Sequence, residues 1–221
     1  MSKKYKLTDE TINLNGATLY RIEALKDFGE IKKGDKGGFI ESEDNLAHEG
    51  NAWVYDDACV YDNALVTDDA CVSDNARVYG NARLYNNTRV CGYAWVADNA
   101  RVYGDANVCD DSSVFGSACV YDNARVYGDA LVRGYACVCG DAEISTDADY
   151  IVFKNWWSSG RYFTWTRSNN MWSVGCFYGT GDELVKKAYK DSELSGREYE
   201  RVVRYVESIL AEEKMKHLNG S

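Results

Sequence analysis

Two histidines, eight cysteines and a dense group of aromatic and cationic side chains near the C-terminus are the residues of this 221-residue chain whose types could do chemistry. Histidine is the usual general base at neutral pH. His48 precedes the repetitive region and His217 lies near the C-terminus, and the expected role of His48 is that of a polar cap residue. No C-x-x-C pair is present, so the cysteines give no zinc signature; no metal and no cofactor is expected. Seven cysteines, Cys59, Cys71, Cys91, Cys109, Cys119, Cys137 and Cys139, fall in one repetitive region. Cys91 with Cys109, and Cys119 with Cys137, are spaced so that stacked coils could bridge them. Reduced thiols packed as small hydrophobes are the expectation. Nearer the C-terminus, Phe153, Trp156, Trp157, Tyr162, Phe163, Trp165, Trp172, Phe177 and Tyr178 accompany Lys154, Arg161 and Arg167. Rings can stack on a base and guanidinium groups can take phosphate. Lys154, Trp156, Trp157, Arg161, Trp165 and Arg167 are therefore the candidate site for a nucleotide-like ligand. Against this stands the expectation that aromatics at strand spacing form the core of a small sheet.

Those residues are positioned by a short repeat. From Val54 to Ile144 every sixth residue is Val, Leu or Ile, sixteen times without an insertion, and two residues before each stands Ala, replaced only by Thr88 and Ser112. Alternation sends Ala and Val inward and the residue between them outward. The intervening residues, mostly Asp, Asn or Gly, suit left-handed corners. Three such short strands close a triangular coil of eighteen residues, so residues eighteen apart stack. The chain has no Pro, which leaves each non-terminal amide able to join the ladder.

These hexads resemble the hexapeptide pattern of left-handed parallel β-helices over residues 51–146, and the resemblance implies the left hand and about five coils. The "NARVYG" units, with the segment that precedes them, also resemble uncharacterised phage and prophage proteins. Members of the β-helix family are commonly trimeric acyltransferases. They place a catalytic histidine on a coil and interrupt the hexads with a loop; this sequence has neither feature, so no catalytic residue is assigned and the chain is expected not to be an enzyme.

Sorted by face, the outward residues give two apolar surfaces. One carries Arg83, Tyr85, Arg101, Tyr103 and Tyr121, the tyrosines forming a ladder. Its neighbour carries Tyr61, Tyr79, Trp95 and Phe115. Aromatic stripes of this size mark interfaces, and two such faces with one polar face predict a homotrimer.

Residues 1–50 read as an irregular N-terminal cap, with Phe39, Ile40 and Leu46 out of register, and 147–221 as a small α+β domain. In the latter, hairpin strands turn at Ser158–Gly160 and Ser168–Asn170. Capping boxes at Thr180–Glu183 and Ser195–Glu198 then start helices. Net charge is -10, which disfavours direct nucleic-acid binding. No apolar run reaches membrane-spanning length and the start lacks a signal peptide's apolar stretch, so a cytoplasmic location without membrane contact is expected. The expected function is a non-enzymatic, phage-type anti-defence protein that sequesters a nucleotide-like signal or a host defence protein. A structural or virion scaffold is the alternative.

Overall fold

A computed structural model describes residues 3–219, with side chains as far as Lys216; the imidazole of His217 lies outside the described residues. The centre is a parallel β-helix whose two-residue strands stack in three sheets. Val78, Val96 and Val114 are direct partners in one of them. The inward Ala and Val columns are essentially solvent-free. Thr88 and Ser112 substitute for Ala without an unpaired hydroxyl, because Thr88 donates to the Tyr85 carbonyl at 2.8 Å and Ser112 to that of Cys109 at 2.7 Å. Each buried Val contributes about 1.5 kcal/mol before entropy is subtracted, so the rod is stabilised by many similar increments.

Corners repeat a second device. Asp62, Asp74, Asp98, Asp110 and Asp122 hold positive φ, as do Gly80, Gly92, Gly116, Gly128 and Gly140. Each of these glycines sits one coil above one of those aspartates and donates its amide to the carboxylate beneath. A carboxylate can reach upward from a left-handed corner, and a residue without Cβ can sit above it.

The N-terminal segment departs from the expected lid. Strands β1 (Tyr5–Leu14) and β2 (Ala17–Ala24) form an antiparallel hairpin, and β2 pairs with β3 (Lys36–Ile40). β3 then runs parallel to Cys59–Val60, with Ile40 opposite Val60, and Leu46 bridges to Val66. Ile40 and Leu46 are thus rungs of the helix itself, six residues apart, and a spacing of eight to Val54 hides them from the hexad count. With them the sixteen rungs become eighteen, which gives about six coils.

Amides of each coil donate to carbonyls of the next, as Cys91 does to Val108 at 2.9 Å. The first coil therefore has orphan carbonyls and the last has orphan amides, so the two ends need opposite chemistry. At the start, Tyr5 donates to Leu46 at 2.7 Å and the Lys4 ammonium to Ala52 at 2.8 Å. At the other end acceptors take over. Asp147 accepts from the Leu131 amide, Ser168 from Glu143 and Asp149 from Ser145, at 3.1, 2.7 and 2.8 Å.

The chain divides into two compact units, 1–151 with 166–169, and 152–165 with 170–221. The second contains a four-stranded sheet, ordered Tyr150–Lys154, Tyr162–Thr166, Met171–Val174, Phe177–Gly179, whose first strand begins in the first unit. Two helices follow, α1 (Gly181–Asp191) and α2 (Glu193–Asn219). Thr180 and Glu183 make the expected capping box. The second box is displaced: α2 begins before Ser195, and the Ser192 hydroxyl accepts the Ser195 amide at 3.1 Å. Gly196 lies inside the helix against the Tyr189 ring, which leaves no room for a Cβ. On α2, Tyr199, Val203 and Val206 are buried. Among the described residues no helix is long and apolar enough to cross a membrane.

Candidate functional site

In the second unit the first sheet turn and the two helices enclose a cleft of about 370 Å³. Its floor is the Asn155–Tyr199 pair. Asn155, 2% exposed, ends the first strand and turns the chain, accepting the Ser158 amide at 3.0 Å on its side-chain oxygen. Its amide nitrogen donates to the Tyr199 hydroxyl at 2.9 Å. Tyr199 is 7% exposed, and burial raises its pKa, the bond from Asn155 opposing that rise. The phenol is held neutral, and its own hydrogen has no acceptor among the described residues. Leu184, Ala188, Val174 and Phe177 give apolar walls, while Arg161, Lys187, Asp191 and Cys176 stand at the rim. Neither Arg161 nor Lys187 has an ion-pair partner among the described residues, so the rim carries two cations against one acid. In such a cleft an oxyanion gains charge-assisted hydrogen bonds while an apolar body stays out of water.

Of the six expected ligand residues the cleft contains Arg161 alone. Trp165 is 1% exposed and donates to Asn170 at 2.9 Å. It is core, as are Phe163 and Trp172, which stack with Phe153. Trp157 is wedged edge-on between Phe163 and Tyr199, its indole nitrogen buried without a partner. Trp156 is 75% exposed and the Lys154 ammonium lies over Tyr162. Arg167 belongs to the first unit, its guanidinium donating to the Ala148 carbonyl at 3.2 Å. Of the nine aromatics, Phe163, Trp165 and Trp172 are buried, Phe153, Trp157 and Phe177 are half-buried, and Trp156, Tyr162 and Tyr178 are exposed, so the group divides between core and surface. Tyr199 and Asn155 were missed because they meet across 44 residues of sequence.

On the β-helix, Tyr85, Tyr103 and Tyr121 stack with centroids 4.9 and 4.8 Å apart and rings within 3° of parallel. Arg83 and Arg101 are exposed direct partners beside them, without an ion pair among the described residues. The neighbouring face differs from the expected open stripe. Tyr61 stacks on Tyr79 at 5.1 Å, but it is 5% exposed in a cluster with Leu19, Phe39 and Cys59, under the first hairpin. That end of the face is taken by the chain's own cap and is not free for a second copy. Further along, Phe115 is half-buried and Trp95 is 45% exposed.

The reduced-thiol expectation is corrected at one pair. Cys91 and Cys109 form a disulfide with Cα atoms 4.6 Å apart, since coil stacking holds those positions within bridging distance. Cys119 keeps its thiol, and burial raises its pKa. The His48 ring packs on Tyr5 at 4.4 Å, accepts the Lys4 amide at 3.3 Å and lies 3.5 Å from Glu43, a set of contacts internal to the cap. Among the described residues no group of three or more His, Cys, Asp or Glu could hold a metal.

A family model described as the YdcK beta solenoid repeat matches residues 70–86, 76–92 and 118–134. The uncharacterized acetyltransferase YdcK of Escherichia coli is 36% identical over 62 residues, covering 24% of this chain and 19% of the relative. The chain thus spans about a fifth of that relative's length. The family-model matches fall wholly within the coils, so what the chain shares with the YdcK repeat is a β-solenoid.

Proposed function

We propose that this protein is a self-associating binding protein that captures a small organic anion in the cleft of its second unit. The reading rests chiefly on the Tyr199 hydroxyl, buried at the cleft floor with an unused hydrogen, opposite the unpaired Arg161 and Lys187. A phosphorylated ligand with a planar or apolar body, such as a mononucleotide, matches the volume and the rim charge. In this reading the exposed arginine and tyrosine ladders join copies as a homotrimer. Given the resemblance of the repeats to phage-encoded proteins, capture would sequester a host signal, a step that rests on analogy.

The test is a thermal-shift and calorimetric series with mononucleotides and cyclic nucleotides. At least one should stabilise the wild type, with the shift lost in Arg161→Ala and reduced in Tyr199→Phe. Trp156→Ala, outside the cleft, should behave as wild type. Absence of any shift across the panel rejects the reading. A second reading, acetyl transfer, follows from the similarity to the uncharacterized acetyltransferase YdcK; turnover of an acetyl donor that Arg161→Ala leaves intact would favour it.

A further inference from the structure

Corner side chains of the β-helix are mostly paired from coil to coil. Asn51 donates to Asp69, Asn87 to Asp105 and Asn123 to Asp141, and Asn63, Asn81 and Asn99 form a chain of the same kind. Tyrosine breaks the rule in two corner columns, at Tyr135 in the column that begins with Asn63 and at Tyr93 in another. Where Asn or Asp would continue the ladder between Asn75 and Asp111 stands Tyr93, 62% exposed. Asn75 and Asp111 have no side-chain hydrogen bond among the described residues. Around the corner Trp95 projects from the strand, with the Arg77 guanidinium 5.7 Å from its ring centroid. Its partner on the next coil is the small Ser113, which leaves the indole open on that side. Together these six residues line a groove of about 450 Å³.

The face is closed on both sides of this gap by the chain itself. The first hairpin covers Tyr61, and Tyr150 donates to the Leu131 carbonyl at 2.8 Å. What remains is one exposed indole and one exposed phenol, flanked by an amide, a carboxylate, a hydroxyl and a guanidinium. Arg77 and Asp111 cancel in charge, and the neighbouring corners Asp74 and Asp110 are acidic, so a phosphorylated or carboxylated ligand is repelled. A ligand suited to the groove is uncharged, has a flat C–H face for the indole and offers many hydroxyls to mixed donors and acceptors.

We propose that the groove around Trp95 and Tyr93 is a binding site for a neutral saccharide of one or two rings, independent of the anion cleft. Trp95 supplies the stacking platform and Arg77 holds it in place. Asn75, Asp111 and Ser113 read the hydroxyls.

The test is a glycan array of neutral mono- and oligosaccharides probed with the full chain, followed by calorimetric titration of those retained. At least one neutral glycan should bind saturably, with affinity lowered at least tenfold in both Trp95→Ala and Asp111→Ala. The melting temperature of each variant should stay near wild type, because both side chains are solvent-exposed and outside the core. Retention of no neutral glycan overturns the proposal, as does binding that survives Trp95→Ala. A drop in oligomer mass caused by Trp95→Ala without glycan binding would make the patch a contact between copies and also overturn it.

Discussion

The carboxylate of Asp98 accepts the backbone amide of Gly116, one coil above it, at 3.0 Å. Asp98 holds φ at 58° to do so. Ala at that position loses the acceptor and meets the left-handed conformation without the compensation that Asp and Asn have. Asp98→Ala should therefore cost about 2 kcal/mol. Asp98→Asn should cost well under half of that, since Asn86 makes the same bond to the Gly104 amide at 3.3 Å. Denaturant melts of the two variants check the ranking; equal losses would show that the corner bond contributes nothing.

Two glycines separate backbone strain from crowding. Gly104 and Gly134 share a left-handed φ, 75° and 69°. A Cβ on Gly104 would lie 2.8 Å from the Asp122 amide nitrogen, whereas one on Gly134 meets nothing within 4 Å. Gly134→Ala should show only the conformational cost of about 1 kcal/mol, and Gly104→Ala at least twice that, because the coil above must move. The measurement is the difference in unfolding free energy between the two.

How much of this the sequence discloses follows from whether a feature repeats. The Ala and Val columns, the left-handed corners and the tyrosine ladder each recur at a fixed interval, so spacing reveals them without knowledge of the fold. Ile40 and Leu46 belong to the same helix but sit two residues out of phase with Val54, and an unbroken count discards them. The cleft is not periodic at all: Asn155 and Tyr199 come from a turn and a helix that only tertiary packing brings together. Ser195 carried a valid capping motif, yet Ser192 three residues earlier took its amide. The groove had one readable sign, Tyr93, the large ring in a corner column otherwise made of Asp and Asn.

The arginine and tyrosine ladder should govern self-association. Tyr103 is stacked on both faces, and burial is the first cause of the rise in its pKa. Its removal opens a gap at the middle of the ladder, and Arg101→Glu places a carboxylate where a cation stood. By light scattering the wild type should give three times the chain mass. Either variant should weaken association by on the order of a hundredfold, as loss of a central aromatic or arginine anchor does. A wild-type monomer at micromolar concentration would remove the basis for assigning this face to assembly.

Lys4 makes stability depend on pH with a defined sign. Its ammonium is buried at the start of the β-helix, 1% exposed, bound to the Ala52 carbonyl and 5.1 Å from the Phe28 ring centroid. Burial, and then the charge of Lys26, lower its pKa to about 8, with Asp69 opposing them. The unfolded lysine titrates near 10.5. Between those values the unfolded chain holds the extra proton, so raising the pH favours the folded state through this group. Below about 8 both states are charged and the slope vanishes. The gain across the window is on the order of 3 kcal/mol. Lys4→Met lacks the titration, so stability measured from pH 7 to 10.5 should rise in the wild type relative to the variant, and only above about pH 8. A constant difference between the two across that range would mean that the Lys4 amine is solvated and that the Ala52 carbonyl is satisfied in another way.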